Sequence, residues 1–224
     1  MSSRQRGPEA RRVDDVGARG CANDHAGGQH PACEDGPVSS SAVQVSLVPM
    51  RLGPHGADVP ALAEFLSSHT FPFHIGRSYT RQEAEASAAS DRWSNQETRS
   101  YWVVVDGEHV GIASLDDLQD DTPMFDLRLA DAHRGRGLGV PVLKALTSEV
   151  FRLKPEARRF EGQTREDNLA MRAVFLRAGW VKEAMYREGW GEHTSVAYAI
   201  LRRDWESGTT TPLVWDEPAA ILPR

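Results

Sequence analysis

Between an apolar run, MFDLRLA at 124–130, and a helical run opening at Gly137 stands Arg134-Gly135-Arg136-Gly137-Leu138-Gly139, which limits this chain more than any other stretch. Alternate glycines strip the backbone of Cβ atoms, so a ligand can approach the main chain itself. The turn also opens a helix, whose first N–H groups lack helical partners and whose dipole presents its positive end there. With Arg134 and Arg136 alongside, these features predict a pyrophosphate site. Two familiar phosphate turns do not match. A P-loop needs Gly-Lys-Ser/Thr at the helix start, where this chain has Gly139-Val140-Pro141. A dinucleotide fingerprint needs glycine three residues beyond Gly137, where Val140 stands. The competing reading is a plain glycine-rich strand-to-helix turn.

The flanking periodicities place that turn inside one α/β domain expected over residues 43–205. VQVSLVPM (43–50) reads as a strand stopped by Gly53-Pro54. Val59, Leu62, Phe65 and Leu66 recur at helical spacing, with Asp58 as the expected cap and Pro60 in the first turn. FPFH (71–74) reads as an aromatic loop, and Thr80 with Glu83 forms a capping box for a helix to about Ala89. Tyr101–Val105, the Asp106-Gly107 turn and His109–Leu115 make a hairpin. An acidic loop, LDDLQDDTP, leads to the strand at 124–130. Val142, Leu143, Leu146 and Val150 share one face of a helix over 137–151. A strand at 157–164 follows, then a helix capped by Asp167 or Asn168 and stopped by Gly179. Strands near 181–187 and 194–201 finish the domain. Residues 206–224 read as a loose tail.

Residues 1–42 hold few large apolar side chains, too few to offset ordering entropy, and are expected to be a disordered extension. Cys21, His25, His30 and Cys33 within it invite a zinc reading. Their spacing fits no common finger, so no metal is expected. The formal charge of −6 argues against nucleic acid as main partner. No apolar run reaches membrane-span length and the basic start lacks an apolar h-region, so a cytoplasmic protein is expected.

Arg134-x-x-Gly137-x-Gly139 resembles the (Gln/Arg)-x-x-Gly-x-(Gly/Ala) signature of the GNAT N-acetyltransferases. DNLAMRAVFLRAGW (167–180) resembles that family's asparagine-to-glycine segment, and the likeness runs from about Val43 to Trp205 in the right order. The branch with ribosomal-protein and polyamine acetyltransferases is the most similar. The resemblance implies a central mixed, mostly antiparallel sheet flanked by helices. It also implies acetyl-CoA as acyl donor and acetyl transfer to a primary amine in a ternary complex. Carried over by position, Leu127, Arg128 and Leu129 would pair with the pantetheine beside a bulge near Leu129. Arg134, Gly135, Arg136, Gly137, Leu138 and Gly139 would hold the pyrophosphate, and Asn168 would touch the pantetheine arm.

The chain departs from the family at its proton-handling positions. Phe175 stands where many members carry a tyrosine acid, and Met124 where some carry a glutamate base. Asp126, two residues from Met124 on the same strand face, is the expected substitute base. Its competing reading is a carboxylate paired with Arg128 or Arg99. His74 and Tyr186 are expected in the acceptor pocket with Asp126. Asp116, Asp117, Asp120 and Asp121 make either a solvated loop or a negative rim that draws a cationic acceptor. The apolar residues at 175 and 124 also support an alternative, a non-catalytic acyl-CoA sensor. Exchange of the final strands would give a homodimer.

Overall fold

The computed structural model describes residues 43–214 apart from Pro54. The Cys21/His25/His30/Cys33 set and residues 215–224 lie outside the described residues. The chain runs β1 (Val45–Pro49), α1 (Val59–Ser68), α2 (Arg81–Ala88), β2 (Arg99–Val105), β3 (Glu108–Asp116) and β4 (Met124–Leu129). It continues with α3 (Gly139–Leu153), β5 (Arg159–Arg165), α4 (Leu169–Arg177), β6 (Val181–Trp190), β7 (His193–Leu201) and α5 (Arg202–Ser207). Single 3-10 turns at Asp91–Trp93 and Asp131–His133 complete the set.

The expected central sheet arrives as two antiparallel sheets, β1-β2-β3-β4 and β5-β7-β6. Period-two alternation decides what covers each face of the first. Tyr101, Val103 and Val105 join Leu143, Leu146 and Val150 of α3, with Phe160, Phe175, Trp180 and Tyr198, in one core. Trp102 and Ile112 face the other way, into a second core with Leu62 and Leu66 of α1, Ala84 and Ala88 of α2, Phe71 and Trp93. β4 and β5 touch only near their starts, where Glu161 N–H donates to the Pro123 carbonyl at 3.0 Å and Phe125 meets Phe160 at 5.4 Å. No ladder joins them further on, so the sheets part there.

Local chemistry explains most boundaries. The Thr80/Glu83 capping box is formed in full. Asp58 precedes α1 but gives its end no side-chain bond; its carboxylate accepts from Arg51 N–H at 2.7 Å and Arg51 Nε at 3.2 Å instead. Asn168, rather than Asp167, caps α4 by accepting from Met171 N–H at 3.2 Å. The helix expected from Gly137 starts at Gly139, because Gly137 holds φ +80°, a left-handed value outside any right-handed helix. Past Asp204, where loose chain was expected, α5 continues to Ser207, and buried Asp204 accepts from Thr211 N–H at 2.9 Å and Thr211 Oγ1 at 2.7 Å.

Candidate active site

β4 forms the wall of the split. Ala130 N–H donates to the Val110 carbonyl at 2.9 Å, so the even-numbered residues of this segment turn their backbone groups toward β3. The Pro123 carbonyl serves β5 from the opposite side. By alternation Phe125, Leu127 and Leu129 aim their N–H and C=O groups at the gap where β5 departs. The ladder from Asp116↔Met124 to Gly111↔Leu129 carries no register shift. The bulge expected near Leu129 is therefore absent. The free groups arise because β4 is an edge on that side, which its regular pairing with β3 leaves undisturbed. Arg128 does not join this free edge, since its backbone faces β3.

The glycine turn follows β4 after the single 3-10 turn at Asp131–His133. Gly135 (φ +74°) and Gly137 (φ +80°) are left-handed, and a Cβ at either would meet nothing within 4 Å. That open space beside bare backbone is what a bound pyrophosphate requires. Gly139 differs: its Cβ would lie 2.6 Å from Val174 Cγ2, so this glycine is required by the packing of α3 on α4. No side chain caps α3 and no acidic residue sits in its first turn, which leaves its N–H groups and dipole available to an anion. Arg134 pairs with Asp131.

Where the sheets part, a cleft of about 270 Å³ opens beside β4. His74, Arg92, Asp116, Asp126, Arg128 and Asn168 line it, together with Phe73, Ile75, Phe125, Leu127, Gln163, Thr164, Met171 and Trp190. Asp126 is its electrostatic hub. Oδ1 lies 3.1 Å from His74 Nε2, and Oδ2 lies 2.9 Å from Arg128 Nη2 and 3.1 Å from Arg92 Nη2. Burial alone would raise the Asp126 carboxyl. The hydrogen bonds of His74 and Arg128, with the charge of Arg128 and that of His74 when it is protonated, outweigh burial and hold it well below the ordinary carboxylate range. Arg128 is 3% exposed, donates to the Gly76 carbonyl at 3.3 Å and rests over Phe71 (5.0 Å) and Trp93 (5.4 Å). It thereby ties the 71–79 loop to β4.

Sequence and structure agree unevenly on these residues. His74, Asp126, Leu127, Arg128 and Asn168 come together in the cleft. The Asn168 amide bonds Thr164 Oγ1 at 2.9 Å as well as capping α4. Tyr186 does not line the cleft: it is 48% exposed on β6, and Trp190 of the same strand takes the place expected of it. The shift of register between Tyr186 and Trp190 separates the two. Phe175 is fully buried, stacked on Tyr198 at 4.5 Å, so it belongs to the core. Arg92, Gln163 and Met171 were not anticipated. Arg92 sits on a single 3-10 turn that no periodicity marks. Beyond β5, Glu166, Asp167 and His193 hold ligand-type atoms within 4.8 Å of one another, but Arg165 grips both Asp167 oxygens at 3.0 and 2.6 Å.

A split sheet, a glycine turn opening a helix, and a polar cleft beside β4 define the class of α/β fold. The family model described as the Acetyltransferase (GNAT) domain matches residues 50–181, more than half of the chain. This chain belongs to the GNAT acetyltransferase family. Solved structures show the same fold. The aminoglycoside acetyltransferase AAC(6')-Ib in complex with coenzyme A is 20% identical with a TM-score of 0.60, over 74% of this chain and 98% of that one. A spermidine N-acetyltransferase SpeG chimera, from Vibrio cholerae and hSSAT, is 14% identical with a TM-score of 0.59, over 73% and 98%. The ribosomal L7/L12 α-N-protein acetyltransferase RimL in complex with coenzyme A is 19% identical with a TM-score of 0.57, over 74% and 96%. Among the described residues no helix is long and apolar enough to cross a membrane.

Proposed function

We propose that this protein transfers the acetyl group of acetyl-CoA to a primary amine, of a small molecule or a protein N-terminus, by direct attack in a ternary complex. One observation carries the reading: the edge of β4 that no strand pairs leads, through one 3-10 turn and the glycine turn, to an uncapped helix start. That edge offers strand-like pairing to a chain of amides, and the turn offers bare backbone to a pyrophosphate. When bound, acetyl-CoA supplies the activated thioester. Aminoglycoside, spermidine and protein α-amino acetylation, the activities in the names of the solved relatives, all use an amine acceptor.

The acceptor end is the cleft, and there the attacking ammonium must lose a proton. Asp126, the base expected from the sequence, suits a different task, because three partners hold its proton affinity low. It accepts from His74 Nε2–H, fixes the ring, and stabilises the imidazolium that forms when His74 takes the proton. His74 Nδ1, buried and without a partner among the described residues, is the accepting atom, and the proton reaches it through a relayed water. The nitrogen–carbon bond forms as the carbon–sulfur bond breaks. Of the two protons the ammonium sheds, His74 takes the first and the second passes to solvent, from which the departing thiolate is protonated, since Phe175 has no proton to give.

The test is thiol release from acetyl-CoA with a panel of amines, alongside calorimetry of coenzyme binding. Gly137→Val meets no crowding at its Cβ but strains a left-handed φ, so its thermal midpoint is read alongside, and with the fold retained it should lose coenzyme affinity. Wild-type affinity in Gly137→Val would remove the turn from the site. Binding without turnover for every amine would favour the acyl-CoA sensor instead.

A further inference from the structure

The cleft holds two carboxylates in unlike states. Asp126 is covered by cations, while Asp116 makes no ion pair among the described residues, although the charge of Arg92 and the Thr98 side chain both act on it. Asp116 ends β3 directly opposite Met124 of β4, and its side chain shares the sheet face of Ser114 and Asp126. Its Oδ2 accepts from Ser114 Oγ at 3.1 Å. Its Oδ1 is buried and has no hydrogen-bond partner among the described residues, although the side chain lines the cleft. The cationic side chains that line the same cleft are already engaged. Arg92 and Arg128 are both on Asp126, and His74 is bonded to its other oxygen.

A carboxylate oxygen withdrawn from water without a hydrogen-bond partner is costly and calls for an explanation, of which a ligand that completes it is one. We infer that Asp116 receives a second, non-reacting ammonium group of the acceptor, so that this enzyme selects amines carrying two or more positive charges. The inference rests on the acetyl-transfer reading and names the acceptor class for it. Placement supports it: Asp116 and the His74–Asp126 pair line the same cleft, so one ammonium can sit at Asp116 while another amine meets His74. Burial also pushes the Asp116 carboxyl above its ordinary range, a cost that an incoming cation would relieve. The aromatic and aliphatic lining, Phe73, Ile75 and Trp190, suits the methylene stem between the two nitrogens.

The experiment uses the full-length protein, acetyl-CoA, and two probe series of matched chain length, n-alkylamines and α,ω-diaminoalkanes. Thiol release gives kcat and KM for each. Wild-type protein should prefer a diamine over its matched monoamine by at least about tenfold in kcat/KM. Asp116→Asn, which keeps the shape and the Ser114 contact, should bring that ratio close to unity through the KM of the diamine. Its thermal midpoint should be no lower than wild type, so misfolding does not account for the change. A wild type without diamine preference overturns the inference, as does a ratio unchanged in Asp116→Asn. If no amine gives thiol release, the acetyl-transfer reading falls separately. Calorimetry of diamines on coenzyme A-loaded protein then decides Asp116 alone: equal binding by wild type and Asp116→Asn overturns it, and loss in the variant upholds it.

Discussion

Three partners around a single carboxylate separate two jobs that a strand position alone leaves merged. In the proposed reaction Asp126 holds charge, and His74 moves the proton. His74→Gln should therefore cut kcat by about 10²-fold or more, the usual range for a lost general base, while coenzyme affinity stays level. Asp126→Asn should also lower kcat more than coenzyme affinity, but through His74, and it should destabilise the fold as well. Removing that charge leaves Arg128 buried beside a neutral amide, a loss of roughly 2–4 kcal/mol. Its pH dependence has a definite sign. The Asp126 carboxyl is depressed in the fold, so its stabilisation is present above the ordinary carboxylate pKa and disappears as pH falls through the lower folded value. Asp116 runs the other way. Its carboxyl is raised, so its contribution is most favourable at low pH and is lost as pH rises through the folded value. Denaturant midpoints across pH should show Asp126→Asn weaker than wild type at neutral pH with a flatter acid limb. Asp116→Asn should be at least as stable as wild type at neutral pH. If both variants lose stability alike at neutral pH, the two carboxylates do not occupy the opposed environments described.

At the scale of elements, α3 and α4 meet over a glycine that the signature alone assigns to ligand approach. Gly139 is the contact point, with Val174 Cγ2 where its Cβ would be. Gly139→Ala should cost about 1–3 kcal/mol through overpacking, and Val174→Ala in the same chain should recover much of it. A double mutant no more stable than the single one would return Gly139 to a purely ligand-facing role. The helices and strands themselves were largely legible. Leu143, Leu146 and Val150 recur at helical spacing, Tyr101–Val105 is β-rich, and Thr80 with Glu83 satisfies a local rule that needs no tertiary information. What could not be read was set by distant partners. Asp58 is bound to Arg51 instead of capping its helix, and Arg92 enters the cleft from a turn without periodicity. The division of the expected sheet depends on where β5 stops following β4, a non-local fact. Likewise Trp190 replaces Tyr186 because β6 shifts register between them.

For the molecule as a whole, the seam between the two sheets, which no strand ladder bridges among the described residues, is the proposed place of binding. Among the described residues a single backbone hydrogen bond, Glu161 to Pro123, and the Phe125–Phe160 contact secure its near end. Past them, the odd-numbered edge of β4 has no strand partner. A carrier whose amides pair along that edge would act as the missing strand and couple the sheets, raising the thermal midpoint with ligand concentration as linkage requires. Hydrogen exchange gives the sharper check, because alternation assigns each amide a side. The Arg128 and Ala130 amides face β3 and should be protected with or without coenzyme A. The Leu127 and Leu129 amides face the gap and should exchange fast in the free protein, then slow markedly on coenzyme A addition. Slowing spread evenly over odd and even positions would mean general stiffening of β4, and no slowing at Leu127 and Leu129 would place the carrier elsewhere.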